Sequence, residues 1–256
     1  METELVRPPA SLVRATGRAI GDYDMIRAGD RVLLALSGGK DSLSLLHALI
    51  HLRRKAPVRF ELAAATVDPQ IEGFDPSPMR EYVSALGLRH YYRREPIAER
   101  ARTQMQGDSF CAFCSRMRRG ILYRIAREGG YNVLALGQHL DDLAESFLMS
   151  AFHRGRLETM KAHYVNDAGD LRVIRPLIYA RERQTAAFAA AAGLPAIRDN
   201  CPACFRMPTE RMRIKQLLAE QEKIYKHLFA NLLHTMRPLL GTPPQQDAEI
   251  PQRTAA

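Results

Sequence analysis

Tryptophan is absent from this 256-residue chain, cysteine occurs only four times, and no apolar run is long enough to cross a bilayer. The longest apolar stretch, residues 186–197, covers 12 positions and is itself broken by Gly193 and Pro195. A membrane-spanning helix needs roughly 20 such residues, so no membrane partner is expected. The opening residues Met1, Glu2, Thr3 and Glu4 lack the basic-then-apolar order of a signal peptide. A cytoplasmic location is the expectation. No internal repeat and no low-complexity block is found. The few cysteines fall into two C-x-x-C pairs, Cys111/Cys114 and Cys201/Cys204. In a reducing compartment such pairs point to a metal site or redox chemistry rather than to structural disulfides.

What is present is an apolar fraction of 46%, enough for a substantial core, and a formal net charge of +9. Arginine outnumbers lysine by 31 to 6. A surface of this sign favours polyanionic partners, RNA, DNA or nucleotides, and the guanidinium matches phosphate geometry better than an ammonium does. An Arg-rich proteome would give the same composition. Short apolar runs alternate with amphipathic stretches. The pattern predicts strands at 31–36, 60–67, 90–93, 133–136 and 172–174, and helices at 11–23, 41–54, 78–86, 115–128, 141–152 and 181–192. Ser11 is the expected N-cap of the first helix. This order predicts an α/β protein with a parallel sheet covered by helices on both faces. Residues 152–171 read as a polar loop or lid, and 209–236 as one or two helices. The expected organisation is a helical lead-in (1–29), a main domain (30–200), a C-terminal Cys pair with helices (201–240) and a disordered tail (241–256).

The sharpest motif is Ser37-Gly38-Gly39-Lys40-Asp41-Ser42, directly after the first predicted strand and at the start of the next helix. The two glycines permit a tight turn and close backbone approach. The N–H groups that follow converge as an anion nest at a positive helix end. Lys40 adds a full charge, and Ser37 and Ser42 add hydroxyl donors. Asp41 suits such a site only if it holds Mg²⁺ against the phosphates. The spacer of a Walker A loop is missing.

The stretch L-S-G-G-K-D-S from Leu36 to Ser42 resembles the PP-loop of the ATP-pyrophosphatases. The resemblance implies an adenine-nucleotide α-hydrolase-like fold and cleavage of ATP between the α and β phosphates. It implies adenine binding by the backbone at Ala65-Thr66-Val67-Asp68. The segments 110–124, Leu136-Gly137-Gln138-His139-Leu140-Asp141-Asp142, Ile174-Arg175-Pro176-Leu177 and the second C-x-x-C resemble the tRNA 2-thiocytidine synthetase family, in that family's order. The implied activity is adenylation of a tRNA cytidine at its C2 oxygen, followed by displacement of AMP by sulfur. The sulfur donor would be a cysteine desulfurase or sulfide, and a homodimer is implied. A [4Fe-4S] cluster held by three thiolates is implied at Cys111, Cys114 and Cys204, with Cys201 left over.

Chemistry independent of the resemblance agrees that thiolates suit Fe–S or zinc. Four thiolates would close a structural zinc site, and a persulfide relay is a third option. Cys111 and Cys114 are expected to precede a helix whose dipole favours their ionised form. Gly137, His139, Asp141 and Asp142 fall between a strand end and a helix, the ligand edge of a parallel sheet. Asp142 is the candidate to complete a Mg²⁺–ATP site and Asp141 a candidate helix cap. Arg175 is a candidate phosphate ligand. Arg116, Arg118, Arg119, Arg124 and Arg127 give one helix a basic character suited to RNA or to plain solvation. The chain departs from the family at Gln138, where a His is usual, and at residues 157–164, which lack the family's Gly-Met-Pro-Pro element. Two other readings stand beside this one: a PP-loop ligase with zinc at the cysteines, and a non-catalytic RNA-binding protein.

Overall fold

Arg31–Ala35 (β1) carries three consecutive fully buried residues, as expected of a strand covered on both faces. Val32 and Leu34 enter one apolar cluster and Leu33 the other. This is the two-residue period of a strand separating two layers. The computed structural model describes residues 6–105, 110–197 and 209–241. Glu61–Asp68 (β2), Arg89–Arg94 (β3), Val133–Ala135 (β4), His163–Val165 (β5) and Arg172–Ile174 (β6) complete a six-stranded sheet of order β3-β2-β1-β4-β6-β5. Every pairing is parallel except β5 with β6.

One face is covered by Ala10–Asp22 (α1), Lys40–Lys55 (α2), Pro78–Ala85 (α3), Leu140–Arg154 (α6), Glu182–Ala191 (α7), Glu210–Ile224 (α8) and Leu228–Met236 (α9). The other is covered by Ile97–Gln104 (α4) and Phe110–Gly129 (α5). The expected α/β architecture with helices on both faces is therefore present. The chain runs from β1 outward to β3 on one side, then returns to β4 on the other side of β1. The crevice at this reversal, at the carboxyl ends of β1 and β4, is where ligands bind in sheets of this class.

Several elements differ from expectation. Helix α1 starts at Ala10, with Pro9 at the N-cap position and no side-chain cap, so Ser11 lies inside the helix. Its buried residues Leu12, Thr16 and Ala19 form a stripe that faces the core shared with α2. Helix α4 was not expected; it is anchored by Ile97 and Ala101, four residues apart. Helix α5 starts at Phe110, so Cys111 and Cys114 lie in its first turns rather than ahead of it. The expected loop at 152–171 contains β5, which returns to β6 through a turn with Gly169 at φ +74°. The carboxamide oxygen of Asn166 accepts the N–H groups of Asp170 and Leu171 there. Among the described residues no helix is long and apolar enough to cross a membrane. Cys201, Cys204 and the expected tail beyond residue 241 lie outside the described residues.

Candidate active site

The loop after β1 is folded around its own hydroxyls. Ser37 Oγ accepts the Gly39 N–H at 3.3 Å and lies 3.1 Å from Ser42 Oγ. Ser42 Oγ donates to the Gly39 carbonyl at 2.9 Å. Gly39 stands at the N-cap of α2 with no side-chain cap, which leaves the first-turn N–H groups to an anion. Gly38 has φ +86°, and a Cβ there would fall 2.5 Å from Ile197 Cδ1. Ile197 N–H donates to the Gly38 carbonyl at 2.9 Å, so the chain approaching Cys201 is fastened to the loop. Gly137 lies on the other flank. A Cβ on it would sit 3.2 Å from Ser42 N and 3.3 Å from Ser42 Cα, so its missing side chain is what lets the β4–α6 turn ride against α2.

Beside this loop β2 runs past the end of β1. Ala65 C=O accepts the Leu36 N–H at 2.8 Å, and Thr66 Oγ1 donates to the Leu36 carbonyl at 2.9 Å. Successive residues of a strand aim their backbone groups to alternate sides. The N–H and C=O of Val67 therefore face the side that β1 has vacated. Asp68 is buried; its carboxylate accepts the Gln70 N–H at 2.9 Å and the Tyr92 hydroxyl at 3.1 Å, and Arg94 lies 3.4 Å away. Thr66 Oγ1 also sits 2.9 Å from His90 Nε2; burial, with Arg80 nearby, pulls the His90 pKa down to about 4.

The charged side chains converge on the starts of α2, α6 and α7. Lys40 Nζ lies 3.0 Å from Asp41 Oδ2 and 3.0 Å from Glu182 Oε1. Thr185 Oγ1 donates to Asp41 Oδ1. His139 Nε2 is 3.7 Å from Asp41 Oδ2. Burial alone would raise the Asp41 pKa; His139, Thr185 and Lys40 reverse this and hold it at about 2. His139, not Asp141, caps α6: its Nδ1 accepts the Asp142 N–H at 3.3 Å, and Asp142 Oδ2 accepts the His139 N–H at 3.1 Å. Burial lowers the His139 pKa, but Asp41, Asp142 and Asp141 outweigh it and raise it. The cap needs Nδ1 bare, so protonating His139 gains the carboxylates and costs the cap.

Asp141 reaches across to α7. It accepts the Glu182 N–H at 2.7 Å and pairs with Arg181 at 3.0 Å. Arg181 also pairs with Glu222 at 2.7 Å and lies over the Phe229 ring. Asp142 pairs outward with Arg211 at 3.2 Å. Of the expected site residues, Ser37 to Ser42, Gly137 and His139 thus share one crevice, with Val67 and Asp68 on the neighbouring strand. Arg175 is placed differently. Its buried guanidinium donates to Gln138 Oε1 at 3.2 Å and to the Lys161 carbonyl, and lies over the Tyr164 ring. Burial lowers its pKa. Arg181, Glu182 and Thr185 were missed, because their partners lie some 40 or 140 residues away and no local pattern marks them.

Cys111 and Cys114 both belong to α5, three residues apart. Cys114 is buried in the cluster beneath that helix.

Residues 12–222 match the PP-loop domain family. The chain is 44% identical over 221 residues to the tRNA-cytidine(32) 2-sulfurtransferase of Syntrophotalea carbinolica, covering 86% of this chain and 85% of that one. It is 38% identical over 244 residues to the protein of the same name from Geobacter metallireducens, covering 92% and 94%. Among solved structures it is similar to the U34-tRNA thiolase NcsA of Methanococcus maripaludis, described with its [4Fe-4S] cluster. The TM-score is 0.73 at 22% identity, over 90% of this chain and 78% of that one. That likeness is one of fold.

Proposed function

This chain belongs to the tRNA-cytidine(32) 2-sulfurtransferase family of PP-loop proteins, and on that footing we propose that it thiolates a cytidine of tRNA at the expense of ATP. The reading is carried by the intact phosphate loop at the sheet's reversal, joined to relatives that match most of the chain. The first-turn N–H groups of α2 and Lys40 hold the β and γ phosphates, with Ser37 and Ser42 as hydroxyl donors. The free backbone edge at Val67, next to Asp68, receives adenine. Asp41 would hold Mg²⁺ against the phosphates, with Asp142 the second candidate carboxylate. The C2 oxygen of the base attacks the α phosphorus and pyrophosphate leaves. Hydrosulfide then adds at C2, AMP departs with the oxygen, and loss of the sulfur's proton leaves C2=S.

The cysteines fit an iron–sulfur group by donor chemistry: they are four soft thiolates in two C-x-x-C pairs. Cys111, Cys114 and Cys204 would hold a [4Fe-4S] cluster, with Cys201 left over. Bound by three thiolates, such a cluster supplies an iron with an open position for incoming sulfur. The basic residues of α5 and the net charge of +9 supply phosphate contacts to the tRNA backbone.

The test is thiolation of an unmodified tRNA transcript by protein purified without oxygen, given ATP, Mg²⁺ and sulfide. Nucleosides are then analysed by mass spectrometry and the protein by iron, sulfide and zinc content. Iron and sulfide in the protein, and ATP-dependent 2-thiocytidine in the tRNA, are expected. A colourless zinc protein that releases pyrophosphate without thiolating tRNA would replace this reading by that of a ligase.

A further inference from the structure

Lys40 is the loop's only full positive charge, and two carboxylates already hold it. An ammonium has three donors, and Asp41 and Glu182, each 3.0 Å away, take two of them. The two acceptors are not equivalent. Asp41 lies inside the phosphate loop and is the carboxylate a cation would claim. Glu182 is built in from outside it. Its second oxygen takes Lys215 of α8. Its N–H is fixed on Asp141 at 2.7 Å. Its neighbour Arg181 is locked between Asp141 and Glu222 against Phe229. Lys215, Glu182, Arg181 and Asp141 form the charged wall of a cavity of about 280 Å³ between α6, α7, α8 and α9.

We propose that Glu182 is a positioning residue for Lys40, orienting its ammonium towards the phosphates from a carboxylate whose own charge is offset by Lys215. The inference rests on the phosphate-loop reading above. An uncompensated carboxylate beside an anion site would repel phosphate. Paired with Lys215 it adds little net field while keeping one hydrogen bond on Lys40, so the ammonium keeps its direction when Asp41 turns to a cation and the remaining protons turn to the ligand. The same chain of contacts runs from helix α8 to the loop, so α8 becomes part of the nucleotide site without touching the nucleotide.

The measurement is calorimetric binding of two probes to the full chain: inorganic pyrophosphate, which reads the phosphate end, and AMP, which reads the adenine end. Glu182→Ala should weaken pyrophosphate about tenfold, as loss of one charge-assisted hydrogen bond would, while AMP binding stays within about twofold. Glu182→Gln, whose amide oxygen still accepts from Lys40, should fall between Glu182→Ala and the wild type. Lys215→Met should also weaken pyrophosphate, because Glu182 is left unopposed. Unchanged or tighter pyrophosphate binding in Glu182→Ala, or equal loss of both probes, would overturn the role. Failure of the wild-type protein to bind pyrophosphate while it binds AMP would overturn the phosphate-loop reading itself, and this inference with it.

Discussion

Glu145 is a carboxyl buried in α6, one turn beyond Asp141, with Arg211 3.5 Å away. Burial is the main reason that its pKa is pushed up to about 7, with the charge of Asp142 adding to it. A carboxyl whose folded pKa exceeds its unfolded value binds more protons when folded. It therefore costs stability as pH rises from the ordinary value of 4.5 through about 7. Glu145→Gln should raise the unfolding free energy measured in urea at pH 8 by on the order of 2 kcal/mol, and leave it nearly unchanged at pH 4.5. Equal effects at the two pH values would mean that Glu145 ionises normally. Asp41 shows the opposite balance a short distance away, held at about 2 by donors its environment supplies. At this scale the sequence marked the loop residues, because Gly-Gly-Lys-Asp-Ser after an apolar run has few other uses. It could not mark Glu145, Arg181 or Glu182, which look like any charge on an amphipathic helix until folding brings their partners in.

The start of α7 shows how one element is made dependent on another. Its first N–H is satisfied by Asp141 of α6 rather than by a residue of its own, and Arg181 just ahead of it is bound by Asp141 and Glu222. Asp141→Asn keeps an oxygen for the N–H and loses the charge; Asp141→Ala loses both and leaves the partly buried Arg181 with one acceptor fewer. We expect losses of about 1 kcal/mol and about 3 kcal/mol respectively, measured by urea unfolding. Identical losses would show that only the charge matters and that the cap contributes nothing. The elements legible beforehand were those with strong apolar periods, β1, β2, α2 and α6. Strand β5 was hidden because only three residues of it pair, none of them fully buried. Helix α4 was hidden because two small anchors, Ile97 and Ala101, carry a sequence otherwise polar. Helix α5 begins five residues ahead of the expected start at 115, because Cys-x-x-Cys marks no boundary: its spacing suits a loop and a helix alike.

Across the whole molecule the sheet separates the phosphate loop from the first cysteine pair. Helix α2, which opens the phosphate loop, packs in one layer; α5, which carries Cys111 and Cys114, packs in the other. Ile197, four residues ahead of the second cysteine pair in sequence, meets the loop at Gly38 through backbone and an aliphatic side chain. Lys40→Ala should therefore abolish release of pyrophosphate from ATP while leaving the iron and sulfide content of anaerobically purified protein unchanged. Cys111→Ala should do the reverse: iron and thiolation fall, while pyrophosphate binding by calorimetry remains close to wild type. Each variant thus serves as the folding control for the other, since a general collapse would remove both readouts at once. Retention of iron and of thiolation by Cys111→Ala would remove that residue from the cluster and leave the remaining cysteines to account for any metal. Loss of iron in Lys40→Ala would show that the two faces are coupled through the sheet, and the separation argued from its layers would fall.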